Sequence, residues 1–175
     1  FAKAIPGNQV DCRLFDACSM ARAEVAYALR NKTDYNLAAP TEIMGTGMPY
    51  HLMPIYLWGI TPKYEEFCDG FYKYYSDSGS GSTISLIDTR YMEELATVVK
   101  DILKDKLVDE IYDIQNESMQ WFDRLNSVHP YHVFFDLGDY LVKIASPAQY
   151  ASLSETMIKV TPYYRHSEGF LSGYG

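Results

Sequence analysis

Two observations predict an α/β fold with a mainly parallel central sheet. Short β-favouring runs alternate along the chain with stretches whose apolar residues recur at helical spacing, the pattern of a layered α/β structure. At 175 residues, 47% hydrophobic and 15% aromatic, the chain also has the composition of a packed globule, since disordered segments are poor in aromatics. That length predicts a single domain over residues 1–175 and not two independent ones. In such a fold, function gathers at the carboxyl ends of the strands.

Residues 10–15 form the first predicted strand, apolar around Val10, Leu14 and Phe15 and ending at Asp16 and Ala17. Ser19 is placed to N-cap a helix over residues 20–30, where Ala21, Val25 and Leu29 repeat every four residues. Residues 35–38 are a second strand, stopped by Pro40, and Gly45, Gly47 and Pro49 mark the next stretch as a loop. Helical pieces over 50–57 and 63–75 are separated by Gly59 and Pro62, and Phe67, Phe71 and Tyr74 share one face of the second. A Gly/Ser turn over 76–82 leads to a strand at 83–87. Asp88 or Thr89 then caps a helix of about 30 residues reaching toward Phe122, with Leu95, Val99, Leu103, Leu107, Ile111 and Ile114 in its stripe and a break near Asp109 and Glu110. Residues 133–137 and 140–144 are short apolar runs that fit strand or helix, and 157–160, ahead of Pro162, reads as a strand. No internal repeat is present.

A net charge of −8 lacks the basic footprint of a nucleic-acid or anionic-membrane binder and favours basic ligands through the overall field. No window reaches the roughly 18 to 20 uninterrupted apolar residues of a membrane span. The chain starts at Phe1 with neither Met nor a signal-peptide pattern, as expected of a processed end or a chosen segment. Three cysteines, an odd number, leave at least one thiol free. Cys12, inside a strand, and Cys68, among helix aromatics, read as small core residues. Cys18 stands between a strand and a helix start, where the helix dipole favours the thiolate.

The company of Cys18 carries more. The run Leu14-Phe15-Asp16-Ala17-Cys18 is succeeded by Glu24-Val25-Ala26-Tyr27, by Asp34-Tyr35 and by Ala39-Pro40-Thr41-Glu42-Ile43. In that order these segments closely resemble the clostripain family of cysteine endopeptidases, most strongly over residues 10–50. Ser85-Leu86-Ile87-Asp88 and Phe135-Asp136-Leu137 add to the resemblance, which loosens after Tyr150. It implies a caspase-like α/β/α sandwich with Cys18 as the nucleophile and Asp16 lining the primary specificity pocket. A carboxylate at the mouth of a partly desolvated pocket binds a guanidinium or ammonium and repels acidic side chains, so Arg or Lys substrates are expected. Asp16 also has a purely local use open to it, capping backbone amides at the strand end. Glu42 and the loop over 45–47 come after the next strand and either line the same pocket or, for Glu42, bond the loop itself.

One departure from the family stands out. Its general-base histidine, immediately before a glycine, precedes the nucleophile, whereas only 17 residues precede Cys18 and none is His. His51, His129, His132 and His166 all come later, none before a glycine, and read as surface or structural residues; His129 and His132 lack a third ligand for zinc. The resemblance accounts for this with a precursor cut after a basic residue into a light and a heavy chain that stay associated. The present chain is then the heavy chain, and a separate N-terminal light chain supplies the first strands, the His-Gly pair and part of the oxyanion hole. Lys3 is a cleavable residue in the tail, and residues 169–175 read as an unfinished end. No cofactor is required by this chemistry; calcium and export enter only as family properties. Two other classes stay open: a catalytically inactive caspase-like module that binds peptides or proteins, and a helical interaction module displaying residues 89–122 and some of the 16 tyrosines.

Overall fold

In the computed structural model, which describes residues 10–104, 106, 119–123, 132–170 and 173–174, one sheet has the strand order β1 (Cys12–Leu14), β2 (Tyr35–Ala38), β3 (Thr83–Asp88), β4 (Tyr163–His166). The two inner strands are the most apolar: Leu37, Ala38, Ile84, Leu86 and Ile87 are all buried, as expected where both faces of a sheet are covered. Successive strand residues point to opposite faces, and Leu86 and Ile87 accordingly join different cores. Leu86 shares one with Leu37, Phe67 and Phe71, and Ile87 shares the other with Ala26, Leu95, Leu141 and Leu153.

The helices between and after these strands are α1 (Ala23–Leu29), a 3-10 turn (Tyr50–Leu52) running into α2 (Met53–Tyr56), α3 (Tyr64–Asp77), α4 (Met92–Leu103), α5 (Leu137–Ile144) and α6 (Pro147–Val160). α3 turns Phe67, Cys68, Phe71 and Tyr75 inward at three- and four-residue spacing, and fully burying an aromatic such as Phe71 stabilises the fold by about 1.5–3 kcal/mol. Asp88 caps as expected: its carboxylate accepts the Arg90 N–H at 3.1 Å and starts a second 3-10 turn, Thr89–Tyr91, that leads into α4. The expected continuation of α4 through Leu107, Ile111 and Ile114 lies outside the described residues. A short antiparallel pair, β5 (Gly169–Phe170) with β6 (Gly173–Tyr174), comes after β4.

The sheet is mixed, which corrects the mainly parallel expectation. β1 and β2 are parallel, but β3 runs antiparallel to β2 and β4 antiparallel to β3. Alternation of strand and helix does not count how often a connection crosses the sheet. Here the loop after β2, the short helices and α3 make an out-and-back path, so β3 begins at the end where β2 finished, with Ser85 opposite Ala38.

Residues 157–160 are not a strand but the last turn of α6. Its start is set by a capping box in which the Ser146 side chain accepts from the Gln149 N–H and Gln149 returns a bond to the Ser146 N–H, with Pro147 at the first helical position. Leu153, Thr156 and Val160 form its buried stripe, and the strand comes after Pro162 instead of before it. In the ambiguous region, Phe135 makes only a single bridge to Trp121. The helix α5 starts immediately afterwards, capped by the Asp136 carboxylate on the Asp139 N–H at 2.8 Å.

Candidate active site

β1 delivers Asp16, Ala17 and Cys18 to the edge of the sheet where the parallel strands β1 and β2 end, and all three are exposed. The ladder continues one residue past the strand, Phe15 N–H donating to Leu37 C=O at 2.9 Å. Beyond it the chain turns at Cys18 and Ser19 and runs back antiparallel to the segment that prolongs β2: Ser19 N–H donates to Thr41 C=O at 2.7 Å and Ala21 N–H to Ala39 C=O at 3.1 Å. The helix expected over 20–30 is present, but these bonds delay its start. α1 starts at Ala23, with Arg22 rather than Ser19 at its N-cap and no side-chain capping bond. Cys18 therefore precedes the helix by five residues, and a dipole whose influence fades within the first turn is not what prepares the thiol.

Ser19 adopts φ +57°, a left-handed conformation uncommon for any residue but glycine and kept only where surroundings over-determine it. Its effect is to bend the chain directly after Cys18. The thiol is then presented to solvent against the backbone of Ile43: Sγ accepts the Ile43 N–H at 3.3 Å and lies 3.8 Å from the Ile43 carbonyl oxygen. Among the described residues the Cys18 N–H has no acceptor.

Asp16 is held just as definitely. Its Oδ1 accepts the Met48 N–H at 3.0 Å, and its Oδ2 accepts the hydroxyl of Tyr50. Gly47 has φ +71°, and a Cβ there would stand 2.9 Å from Asp16 Oδ2, so the carboxylate lies on the bare Cα. Tyr50 remains exposed, and its bond to Asp16, together with some desolvation, pushes its phenol pKa up; it stays a donor.

The loop that supplies these contacts is anchored from below. Gly47 N–H closes a turn on Met44 C=O at 2.8 Å. The buried Tyr75 of α3 donates to Gly47 C=O and takes a bond from the Thr46 hydroxyl at 3.1 Å. At the base of the loop, Thr41 and Thr83 are both buried and their hydroxyls meet at 2.6 Å. Thr83 begins β3, so this pair ties the segment that holds Ser19 to the centre of the sheet.

The structure thus brings Asp16 and Cys18 to one exposed turn faced by the loop over 41–50. Glu42 lies in that loop, half-buried and with interactions of its own, but the groups on Asp16 come from Gly47, Met48 and Tyr50. Sequence reasoning singles out Gly47 with the loop over 45–47 but misses Met48 and Tyr50, for which the Gly-Thr-Gly run is the nearest available signal. His51 lies against Tyr74 at 5.7 Å, His132 stacks on Trp121 at 4.2 Å with Nδ1 3.3 Å from Asp123, and His166 stacks on Tyr164 at 5.9 Å. His129 lies outside the described residues. Cys68 is buried, and desolvation, with nearby Asp69 adding to it, pushes its thiol up to about 12. Cys12, at the edge of the same core, is likewise pushed up to about 12 by desolvation and by Asp11. Both stay protonated and inert. Among the described residues no three His, Cys, Asp or Glu side chains gather as metal ligands.

With this geometry in view, comparison with known proteins is specific. The model of the clostripain family matches residues 2–163. The chain is similar to an inactive zymogen C11 protease from Parabacteroides distasonis, at 30% identity and a TM-score of 0.88, covering 97% of this chain and 48% of that one. It is similar to a clostripain from Bacteroides thetaiotaomicron in complex with the peptide inhibitor BTN-VLTK-AOMK, at 35% identity and a TM-score of 0.86, covering 99% of this chain and 78% of that one. A secreted C11 cysteine protease from the same organism, iotapain, is 36% identical with a TM-score of 0.80, over 94% of this chain and 46% of that one. The chain thus spans about half the length of the first and third of these relatives. No curated protein matches it. On the family match, the shared fold and these identities, the chain belongs to the clostripain family of cysteine proteases.

Proposed function

We propose that this chain carries the nucleophile and the primary specificity pocket of a cysteine endopeptidase that cleaves after Lys or Arg. The observation that carries the reading is an exposed thiol seated on the Ile43 backbone, two residues after an exposed carboxylate oriented by Met48 and Tyr50. Such a carboxylate binds an ammonium or guanidinium by charge-assisted hydrogen bonds, and the negative net charge steers cations toward it. The relative crystallised with a peptide inhibitor whose residue letters end in K supports a basic side chain at this place.

In the proposed reaction the Cys18 thiolate attacks the carbonyl carbon after the basic residue. The C–N bond breaks, and the departing amine takes a proton from an imidazolium. Water then attacks the thioester, gives a proton to the same imidazole, and releases the thiolate and the carboxylic acid. The Cys18 N–H serves as one oxyanion donor, a kind of contact whose loss costs about 3 kcal/mol in comparable enzymes. The imidazole belongs to an N-terminal light chain of the same precursor, separated by (auto)proteolytic cleavage and still bound, which adds strands beside β1 and completes a caspase-like α/β/α sandwich. β1 lies at one edge of the described sheet, and an edge strand needs a neighbour or cover. The zymogen relative is in keeping with maturation, and the secreted one with export.

The test is turnover of peptides with Lys, Arg or a neutral residue before the scissile bond by the matured two-chain protein and its Cys18→Ala variant. Hydrolysis after basic residues, lost in the variant with an unchanged circular dichroism spectrum, is the expected result. Hydrolysis that survives in Cys18→Ala overturns the assignment of the nucleophile. Peptide binding without any hydrolysis makes the chain an inactive binding module.

A further inference from the structure

We infer that Tyr50 is a specificity-determining residue: by donating its hydroxyl to Asp16 it biases the pocket toward lysine over arginine. The inference rests on the reading of Asp16 as the primary pocket carboxylate and goes beyond it. A carboxylate offers four in-plane acceptor positions, two on each oxygen. Here one position on each oxygen is already taken, Oδ1 by the Met48 N–H at 3.0 Å and Oδ2 by the Tyr50 hydroxyl. Gly47 packs on the carboxylate so closely that a Cβ would lie 3.2 Å from Oδ1 and 2.9 Å from Oδ2, and the group is therefore also fixed in rotation.

The two basic side chains respond differently to that arrangement. A guanidinium is a rigid planar fork that gains most when it reaches both oxygens at once, in one plane and from one side. An ammonium is a compact charge with three rotatable donors on a flexible stem, so a single open position on either oxygen suffices. Taking one position on Oδ2 and fixing the plane thus penalises arginine more than lysine. The Met48 N–H belongs to the backbone, whereas the Tyr50 hydroxyl is one atom of an exposed side chain. Its bond to Asp16 pushes the phenol pKa up, so the hydroxyl is a donor to the carboxylate at neutral pH. Tyr50 also opens the 3-10 turn leading into α2, which places the hydroxyl on an ordered segment.

The experiment compares wild type with Tyr50→Phe in the matured two-chain protein, on peptides identical except for Lys, Arg or norleucine before the scissile bond. Phenylalanine keeps the ring and removes only the hydroxyl, at a site that is exposed, and equal thermal midpoints verify the fold. The expected result is a rise of about three- to tenfold in the Arg-to-Lys ratio of kcat/KM, expressed mainly in KM. An unchanged ratio in a wild type that prefers both basic residues over norleucine overturns the role of Tyr50 and leaves the reading of Asp16 in place. A wild type that does not distinguish norleucine from lysine removes the reading of Asp16 and the inference with it.

Discussion

Asp16 and Gly47 are in contact across the pocket, carboxylate on bare Cα, with room for no side chain: a Cβ on Gly47 would stand 2.9 Å from Oδ2. Glycine is required there twice over, since Gly47 also has φ +71°. Gly47→Ala is expected to destabilise the protein by about 1–2 kcal/mol through the left-handed backbone alone. It should also displace Asp16 and raise KM for basic substrates. Gly45→Ala, where nothing lies within 4 Å, serves as the control and should change neither quantity. Urea midpoints and kcat/KM on one lysine substrate decide the matter.

Asp16→Asn keeps the shape and most of the hydrogen bonding of the pocket while removing its charge. A charge-assisted bond of this kind contributes about 1.5–3 kcal/mol, so kcat/KM for Lys and Arg peptides should fall by roughly 10- to 100-fold relative to norleucine peptides. Equal losses on charged and neutral substrates would make Asp16 a purely structural cap.

The buried hydroxyl pair of Thr41 and Thr83, 2.6 Å apart, supports the segment that bonds Ser19. Thr83→Val leaves the Thr41 hydroxyl unpaired in the core, at a cost of about 1–3 kcal/mol. Because Thr41 C=O holds the Ser19 N–H at 2.7 Å, kcat should fall as well. Thr83→Ser retains the hydroxyl and should restore most of the activity. A valine variant as active as wild type would show that the pair stabilises the fold without positioning the thiol.

Cys12 and Cys68 are pushed up to about 12, whereas an unfolded cysteine titrates at about 8.5. Between these values the unfolded chain releases protons that the folded chain keeps. The stability contributed by the neutral thiols is therefore complete below about pH 8.5 and declines as pH rises toward 12. Thermal midpoints measured from pH 8 upward should fall, and a Cys68→Ala variant should fall less steeply once the offset from its cavity is subtracted. An identical slope in the two proteins would exclude Cys68 as a contributor. At pH 8, iodoacetamide should modify Cys18 before Cys12 or Cys68, as peptide mapping would report.

Much of the site is legible in the sequence because its parts are local. Asp16 and Cys18 share one segment at a strand end, and strand propensity with the Asp-Ala-Cys context locates both. Gly45, Gly47 and Pro49 likewise mark the facing loop. Relations across long separations escape such a reading: the Tyr50 hydroxyl meets Asp16 over 34 residues and Thr83 meets Thr41 over 42, and no local period encodes either. The helix after Cys18 starts later than its sequence suggests: Ser19 resembles a cap, whereas it lies in a turn and tertiary backbone bonds from Ser19 and Ala21 hold the next residues beside Ala39 and Thr41. Strand direction in the sheet is hidden for a related reason, since the number of passes in the β2–β3 connection leaves no trace in hydrophobic periodicity. At α6 the capping box is present in Ser146 and Gln149, but the run Met157-Ile158-Lys159-Val160, three of whose four residues are apolar, masks it just before Pro162.

The central claim is that Cys18 is the nucleophile of a pocket selected by Asp16. The most direct measurement treats the matured protein, and its Asp16→Asn variant, with a lysyl chloromethyl ketone, and then determines intact mass and peptide maps of every chain. The account predicts one adduct, on Cys18, formed rapidly in wild type and at least about 10-fold more slowly in Asp16→Asn. An adduct on another residue, or equal rates in the two proteins, would contradict it.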